Sequence, residues 1–333
     1  MGRRVELAAV RDLLDTERGF GALILEGEPG IGKTTLWLAG VRHAAESGAT
    51  VLSARPTARE TRLPYSALGD LVRAADSSVV EAVPEPLRSP VRAAALLDQS
   101  DVLPDARLVS RGTADLLRLI AQQGKLVVAV DDVQWLDDRS RGVLAYALRR
   151  LSDTNARVLL ARRPPAGAST EVEDSLSQPD LDLVSVGPLS LSALHEILGE
   201  RIGTSFQRPL LVRILRASGG NPYYALEIAR EVARTGAGSE ASLRLPRDVT
   251  RLTANRILRL PAETRAALLH LALASHGQVR DPDGALRAAV DDGIVEIEFD
   301  GEARFTHPLV AAAVIDVATP AERREAHLAL AEL

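Results

Sequence analysis

The stretch Gly27-Glu28-Pro29-Gly30-Ile31-Gly32-Lys33-Thr34-Thr35 constrains this chain more than any other, because it satisfies the phosphate-binding pattern G-x-x-x-x-G-K-[ST] without gap or substitution. Glycines at 27, 30 and 32 let the backbone reach conformations closed to other residues, so successive N–H groups can line one anion-binding concavity. Lys33 supplies a positive charge for the outer phosphates. Thr34 offers a hydroxyl where a Mg²⁺ bridging those phosphates needs a ligand. Context supports the motif. Ala22–Glu26 reads as a short buried strand, and Trp37, Gly40, Val41 and Ala44 recur at helical spacing after the loop, giving the strand–loop–helix order the motif requires. The helix would turn the positive end of its dipole toward the phosphates.

A second segment completes the pattern. Leu126-Val127-Val128-Ala129-Val130 is an unbroken apolar run, as expected of a parallel strand buried on both faces, and it ends in Asp131-Asp132. Open α/β sheets bind ligands at the C-terminal ends of their strands. Asp131 is therefore expected beside the phosphate loop as a metal ligand through water, and Asp132 as the group that polarises an attacking water. Trp135 reads as a packing anchor. Further strands are expected at 50–54, 157–161 and 181–186, for a five-stranded parallel sheet. The strand at 157–161 delivers Arg162 and Arg163 to the same edge, where the pair is either solvated or, for an arginine facing the ligand, able to contact the γ-phosphate. Pro164-Pro165 ends that strand.

Other features narrow the class. The 333 residues allow two or three domains, and with aromatics at only 3% the cores must be built from Leu, Val, Ile and Ala. The absence of cysteine excludes disulfides, thiolate metal sites and thiol nucleophiles. No leader and no membrane span are evident, so a cytoplasmic protein is expected. A net charge of −5 argues against a chain whose main work is coating nucleic acid.

From residue 190 the pattern is helical. Leu194, Ile197, Leu198 and Ile202 form one stripe, and Gly219-Gly220-Asn221-Pro222 breaks the run before a helix that Pro222 can start. Residues 235–242 have linker composition. Helices follow around 247–259, 262–274 and 283–292. Val295, Ile297 and Phe299 then alternate with Glu296 and Glu298, and Asp300-Gly301 turns the chain into Glu302–Thr306, so helices followed by a hairpin suggest a winged helix. Its candidate groove helix carries Arg287 among Asp283, Asp291 and Asp292, and its wing carries Glu296, Glu298, Asp300 and Glu302, which argues against DNA contact. The last helix, 321–333, has no terminating signal and reads as the start of a further helical region.

These motifs together resemble the nucleotide-binding core of signal-transduction ATPases with numerous domains, most closely the large ATP-binding regulators of the LuxR family. Gly2-Arg3 with Glu6-Leu7 is similar to that family's N-terminal motif, whose segment lies against adenine, which implies Arg3 and Val5 as nucleotide contacts. Asp131-Asp132-Val133-Gln134-Trp135-Leu136-Asp137 resembles its Walker B run and Arg163-Pro164 its sensor 1, so that Lys33, Asp132 and Arg163 are the implied catalytic set. Gly220-Asn221-Pro222 resembles the Gly-x-Pro of its helical lid, with Pro222 against the nucleotide. Phe305-Thr306-His307-Pro308-Leu309 resembles the motif whose His approaches the phosphates, although a capping or core role for His307 fits its sequence equally well. Arg4 stands where the family usually has an acid. The resemblance implies an α/β P-loop NTPase domain of AAA+ type (1–188), an all-α lid (189–240), a winged helix (241–318) and the start of a helical region (319–333). ATP, ADP and Mg²⁺ are the implied ligands, with slow ATP hydrolysis and self-association. The helical repeats and DNA-binding output of the full regulators would lie in a further portion of chain. The competing reading is an AAA+ motor or origin loader acting on nucleic acid.

Overall fold

Strands of Val, Leu, Ile and Ala build the first half of the computed structural model, which describes residues 2–16, 19–98, 102–163, 171–176, 180–235, 249–274, 279–280, 284–297, 302–306 and 308–331. Five of them, β1 (Gly21–Glu26), β2 (Thr50–Ala54), β3 (Leu126–Val130), β4 (Arg157–Arg162) and β5 (Leu181–Ser185), form a sheet in the order β2-β3-β4-β1-β5. Every pairing is parallel. The chain divides into two compact units, Arg3–Gly187 holding this sheet, and Pro188–Leu333 together with Met1–Gly2.

Alternate residues of each strand face opposite cores. Leu23, Leu25, Val127, Ala129 and Leu159 pack with Val10, Leu14, Leu36 and Trp37, which come from α1 (Arg4–Asp15) and α2 (Lys33–Glu46). Ala22, Ile24, Leu52, Val128, Val130, Val158 and Leu160 pack on the other face. There they meet α3 (Ser66–Arg73), α4 (Ser77–Ala82), α5 (Arg88–Ala94), α6 (Ala106–Gln123) and α7 (Asp138–Leu148). Helices on both faces explain why β3 and β4 are buried at every position and carry no polar alternation. A short helix, α8 (Glu171–Asp174), follows β4. Arg157, buried at the start of β4, ties down the end of α1 by donating to the carbonyls of Leu13 (2.8 Å) and Thr16 (2.6 Å). The helix's last carbonyls are thereby satisfied away from water.

In the second unit α9 (Leu191–Ile202), α10 (Arg208–Ser218) and α11 (Pro222–Thr235) share a core of Leu194, Leu198, Leu211, Ile214, Ile228 and Ala229. Gly219 and Gly220 have positive φ, and Asn221 caps α11 by accepting from the Tyr223 N–H at 3.1 Å. A second core, including Leu268, Ala289, Ile294, Val295, Ala303 and Val310, gathers α12 (Val249–Leu258), α13 (Ala262–Leu273), α14 (Arg287–Asp291), α15 (Pro308–Val317) and α16 (Pro320–Ala331). It also takes in an antiparallel sheet of β6 (Val279–Arg280), β8 (Glu302–Phe305) and β7 (Val295–Ile297), in that order.

Here the sequence reading needs amendment. The helix expected over 283–292 is described only from Arg287 to Asp291, β6 adds a third strand, and α15 fills a stretch that had no assigned element. Ile297, which alternates with the glutamates as Val295 does, is 46% exposed on the edge strand β7, whereas Val295 is buried. Residues 236–242, Pro164, Pro165, Asp283, Glu298, Phe299, Asp300, Gly301, His307 and Leu333 lie outside the described residues. Among the described residues no helix is long and apolar enough to cross a membrane.

Candidate functional site

β1 runs straight into the phosphate loop, and the turn admits nothing larger than glycine at its start. A Cβ on Gly27 would stand 2.8 Å from both the Ile31 side chain and the Val186 carbonyl. Gly32 then takes φ +105°, from which α2 begins at Lys33 with its first N–H groups facing the loop. Glu28 is exposed, Pro29, Gly30 and Gly32 are half-buried, and Ile31 is buried as the loop's anchor in the core. Arg3 braces the loop from α1, donating to the Ile31 carbonyl at 2.9 Å while pairing with Glu6 at 2.9 Å. Val5, two residues on, is 80% exposed.

Lys33 is buried and curls over the loop, donating from Nζ to the carbonyls of Gly27 (2.8 Å) and Glu28 (3.1 Å). Burial lowers its pKa, and the nearby carboxylates of Asp132 and Asp131 oppose that shift. Thr34 is half-buried beside Asp131, whereas Thr35 is exposed.

The opposite wall is the end of β3. Asp131 is 3% exposed, and its N–H donates to the Ala54 carbonyl at 3.0 Å, extending the β2–β3 ladder by one step. Its carboxylate accepts from the Asp132 N–H (3.0 Å), with the Thr34 side chain beside it and Arg55 Nε 3.8 Å away. Burial, reinforced by the charge of Asp132, pushes the Asp131 carboxyl up to about 6. Asp132 has φ +49°, a conformation that costs a non-glycine residue energy and that concentrates at functional sites.

A 3₁₀ turn (Val133–Trp135) follows and joins this wall to β4. Gln134 donates from Nε2 to the Asp132 carboxylate at 2.6 Å and accepts the Arg163 N–H on Oε1 at 3.2 Å. The two partners fix the orientation of its amide. The Arg163 guanidinium lies over the Trp135 ring, 5.3 Å from its centre, so Trp135 does more than pack. Arg162, in contrast, is not solvated: it is buried and paired with Glu26 (2.7 Å) and Glu173. A charge at the end of a strand inside the sheet has no path to water, so it took carboxylate partners from β1 and α8.

Lys33, Thr34, Asp131, Asp132 and Arg163 thus come together at one edge of the sheet, with Arg3 beneath the loop. Pro222 starts α11 in the other unit, and His307 lies outside the described residues. Sequence reading missed Arg55, Gln134 and the Glu26–Arg162–Glu173 cluster. Strand order would have exposed the first, since Arg55 follows β2, the neighbour of β3. The donor set fits Mg²⁺. It comprises a hydroxyl and a carboxylate side by side, and among the described residues no group of three or more His, Cys, Asp or Glu could cage a metal. A hard ion completed by phosphate and water oxygens suits such a site.

Residues 1–160 match the AAA ATPase domain family. In fold the chain is similar to a signal transduction ATPase with numerous domains that carries a tetratricopeptide repeat sensor, from Pyrococcus horikoshii. That likeness has a TM-score of 0.57 at 18% identity, covering 98% of this chain and 44% of that one. The chain therefore spans less than half the length of that protein. Also similar are the Aeropyrum pernix ORC1 protein in complex with DNA (TM-score 0.46, 15% identity, 94% of this chain and 92% of that one) and the Drosophila ORC bound to DNA (TM-score 0.42, 15% identity, 98% and 85%). No curated protein matches. In sequence motif and fold, the first unit is similar to P-loop AAA+ ATPases.

Proposed function

We propose that this chain binds ATP and ADP with Mg²⁺ and hydrolyses ATP slowly, as the regulatory switch of a larger LuxR-type transcriptional regulator. The observation that carries the proposal is a complete phosphate loop whose Lys33 and Thr34 lie beside the buried Asp131 carboxylate, the juxtaposition a phosphate-bridging metal needs. Mg²⁺, when bound, would neutralise phosphate charge between those two residues. The chain's own groups have distinct tasks. Lys33 leaves the loop carbonyls to pair with the outer phosphates, Asp132 accepts a proton from the attacking water while Gln134 holds its carboxylate, and Arg163 moves from Trp135 to the charge developing on the γ-phosphate. Asp132→Asn is expected to retain ATP affinity and lose turnover. Loss of affinity with turnover per bound ATP unchanged would reverse the roles of Asp131 and Asp132.

The switch reading takes α9–α11 as the helical lid and the module from α12 to α15 as a winged helix, with Pro222 and His307 approaching nucleotide in one arrangement. ATP and ADP would favour different arrangements and so control self-association and an output domain. The fold likeness to a signal-transduction ATPase supports this reading. A loader acting on nucleic acid is the second reading, and charge disfavours it: Asp291 and Asp292 end the candidate groove helix, while Glu296 and Glu302 sit on the hairpin. In a salt-titrated binding assay the chain is expected to show no sequence-dependent affinity for duplex DNA at physiological salt. Tight, sequence-dependent binding would favour the loader.

A further inference from the structure

Asp131 faces a second cation besides the one its place beside the phosphate loop calls for. Its carboxylate is 3% exposed and lies next to Asp132, and Arg55 Nε stands 3.8 Å from its Oδ2. Arg55 is held there by the fold. The Asp131 N–H bonds to the Ala54 carbonyl, so Arg55 is the first residue of its strand beyond the ladder and must leave the sheet at the same edge as the phosphate loop. Its side chain is 17% exposed, mostly withdrawn from water but not sealed off from it.

We infer that Arg55 sets the metal requirement of this site by competing with Mg²⁺ for the Asp131 carboxylate. The inference rests on the nucleotide-binding reading above. Two like-charged carboxylates in a poorly hydrated pocket need positive charge beside them, and Lys33 lies near both while its ammonium is hydrogen-bonded to the loop carbonyls. Arg55 meets part of that need at Asp131. A divalent ion joining Thr34 to the same carboxylate would take over its role and would be repelled by the guanidinium, because like charges within a few ångströms interact strongly where water is scarce. Arg55 must therefore withdraw as the metal enters. Its long arm and its partial exposure allow this, and a guanidinium leaving Asp131 beside a bound nucleotide can pair with phosphate oxygens. Metal and arginine exchange then become one event, so that the arginine raises the Mg²⁺ concentration at which the site fills.

The test is a Mg²⁺ titration of the protein saturated with ADP, reading the midpoint of metal-dependent thermal stabilisation, with Mn²⁺ binding followed by electron paramagnetic resonance as the direct measure. Arg55→Met should lower the metal concentration at the midpoint by about tenfold, the order expected when a like charge is removed from beside a cation. It should also melt earlier than wild type in chelator, with the gap narrowing once metal and ADP are present. Arg55→Lys keeps the charge and should stay within about twofold of wild type. Arg55→Gln carries the same expectation as Arg55→Met should the latter fail to fold. An unchanged or raised midpoint in the uncharged variants, or a melting gap equal with and without metal, would overturn the inference and make Arg55 structural. Absence of any ADP-dependent stabilisation in wild type would instead overturn the nucleotide reading on which it rests.

Discussion

Asp131 carries the tension of this site in a single side chain. Burial and the adjacent Asp132 charge raise its pKa to about 6, above the value of a free carboxyl, while Thr34, Arg55 and the Asp132 N–H work in the other direction. The pH dependence follows from that direction. Between the unfolded pKa near 4 and the folded value, the native state holds a proton that the unfolded state has lost, so stability falls as pH rises through that window. Above it the ionised carboxylate costs on the order of 2–3 kcal/mol. Asp131→Asn, measured by denaturant unfolding between pH 4 and 7 without nucleotide, should gain on wild type as pH rises and level off above pH 6. A constant difference across that range would mean that Asp131 does not titrate there. The same residue shows what sequence conceals. Its position after an apolar strand was legible, but its counter-ion was not, because Arg55 lies 76 positions earlier and meets it only through the β2–β3 pairing.

At the level of elements, what was legible followed from periodicity and breakers. The loop at 27–35 announced β1 and α2, and the apolar run Leu126–Val130 announced β3, since a strand covered on both faces leaves an unmixed signature. β4 was equally plain for the same reason. β6 was not, because two residues carry no period, and only its antiparallel register with β8 reveals it. α15 escaped because Pro308-Leu309-Val310 is uniformly apolar and lacks the polar face by which a surface helix is recognised. The Arg162–Glu26–Glu173 cluster shows a third limit. Adjacent arginines at a strand end look alike in sequence, yet alternation sends one inward to carboxylates and leaves the other over Trp135 at the ligand edge.

Across the molecule, the first unit contains every group that the proposed chemistry requires for phosphate and metal, whereas Pro222 belongs to the second unit. A phosphate loop, a buried carboxylate, a hydrogen-bonded Asp132 and an arginine stacked on a tryptophan form one connected wall. In the proposal they bind nucleotide without help from the helical unit, whose role is to respond to it. The central claim is therefore that nucleotide binds through the loop, and the direct measurement is thermal unfolding of wild type and Lys33→Ala with Mg²⁺ and either ATP or ADP. At about a hundred times the dissociation constant, wild type should gain roughly 2.7 kcal/mol of stability. Lys33→Ala, folded but without the ammonium that neutralises the outer phosphates, should gain almost nothing. An equal gain in both proteins, or none in wild type, would contradict the account.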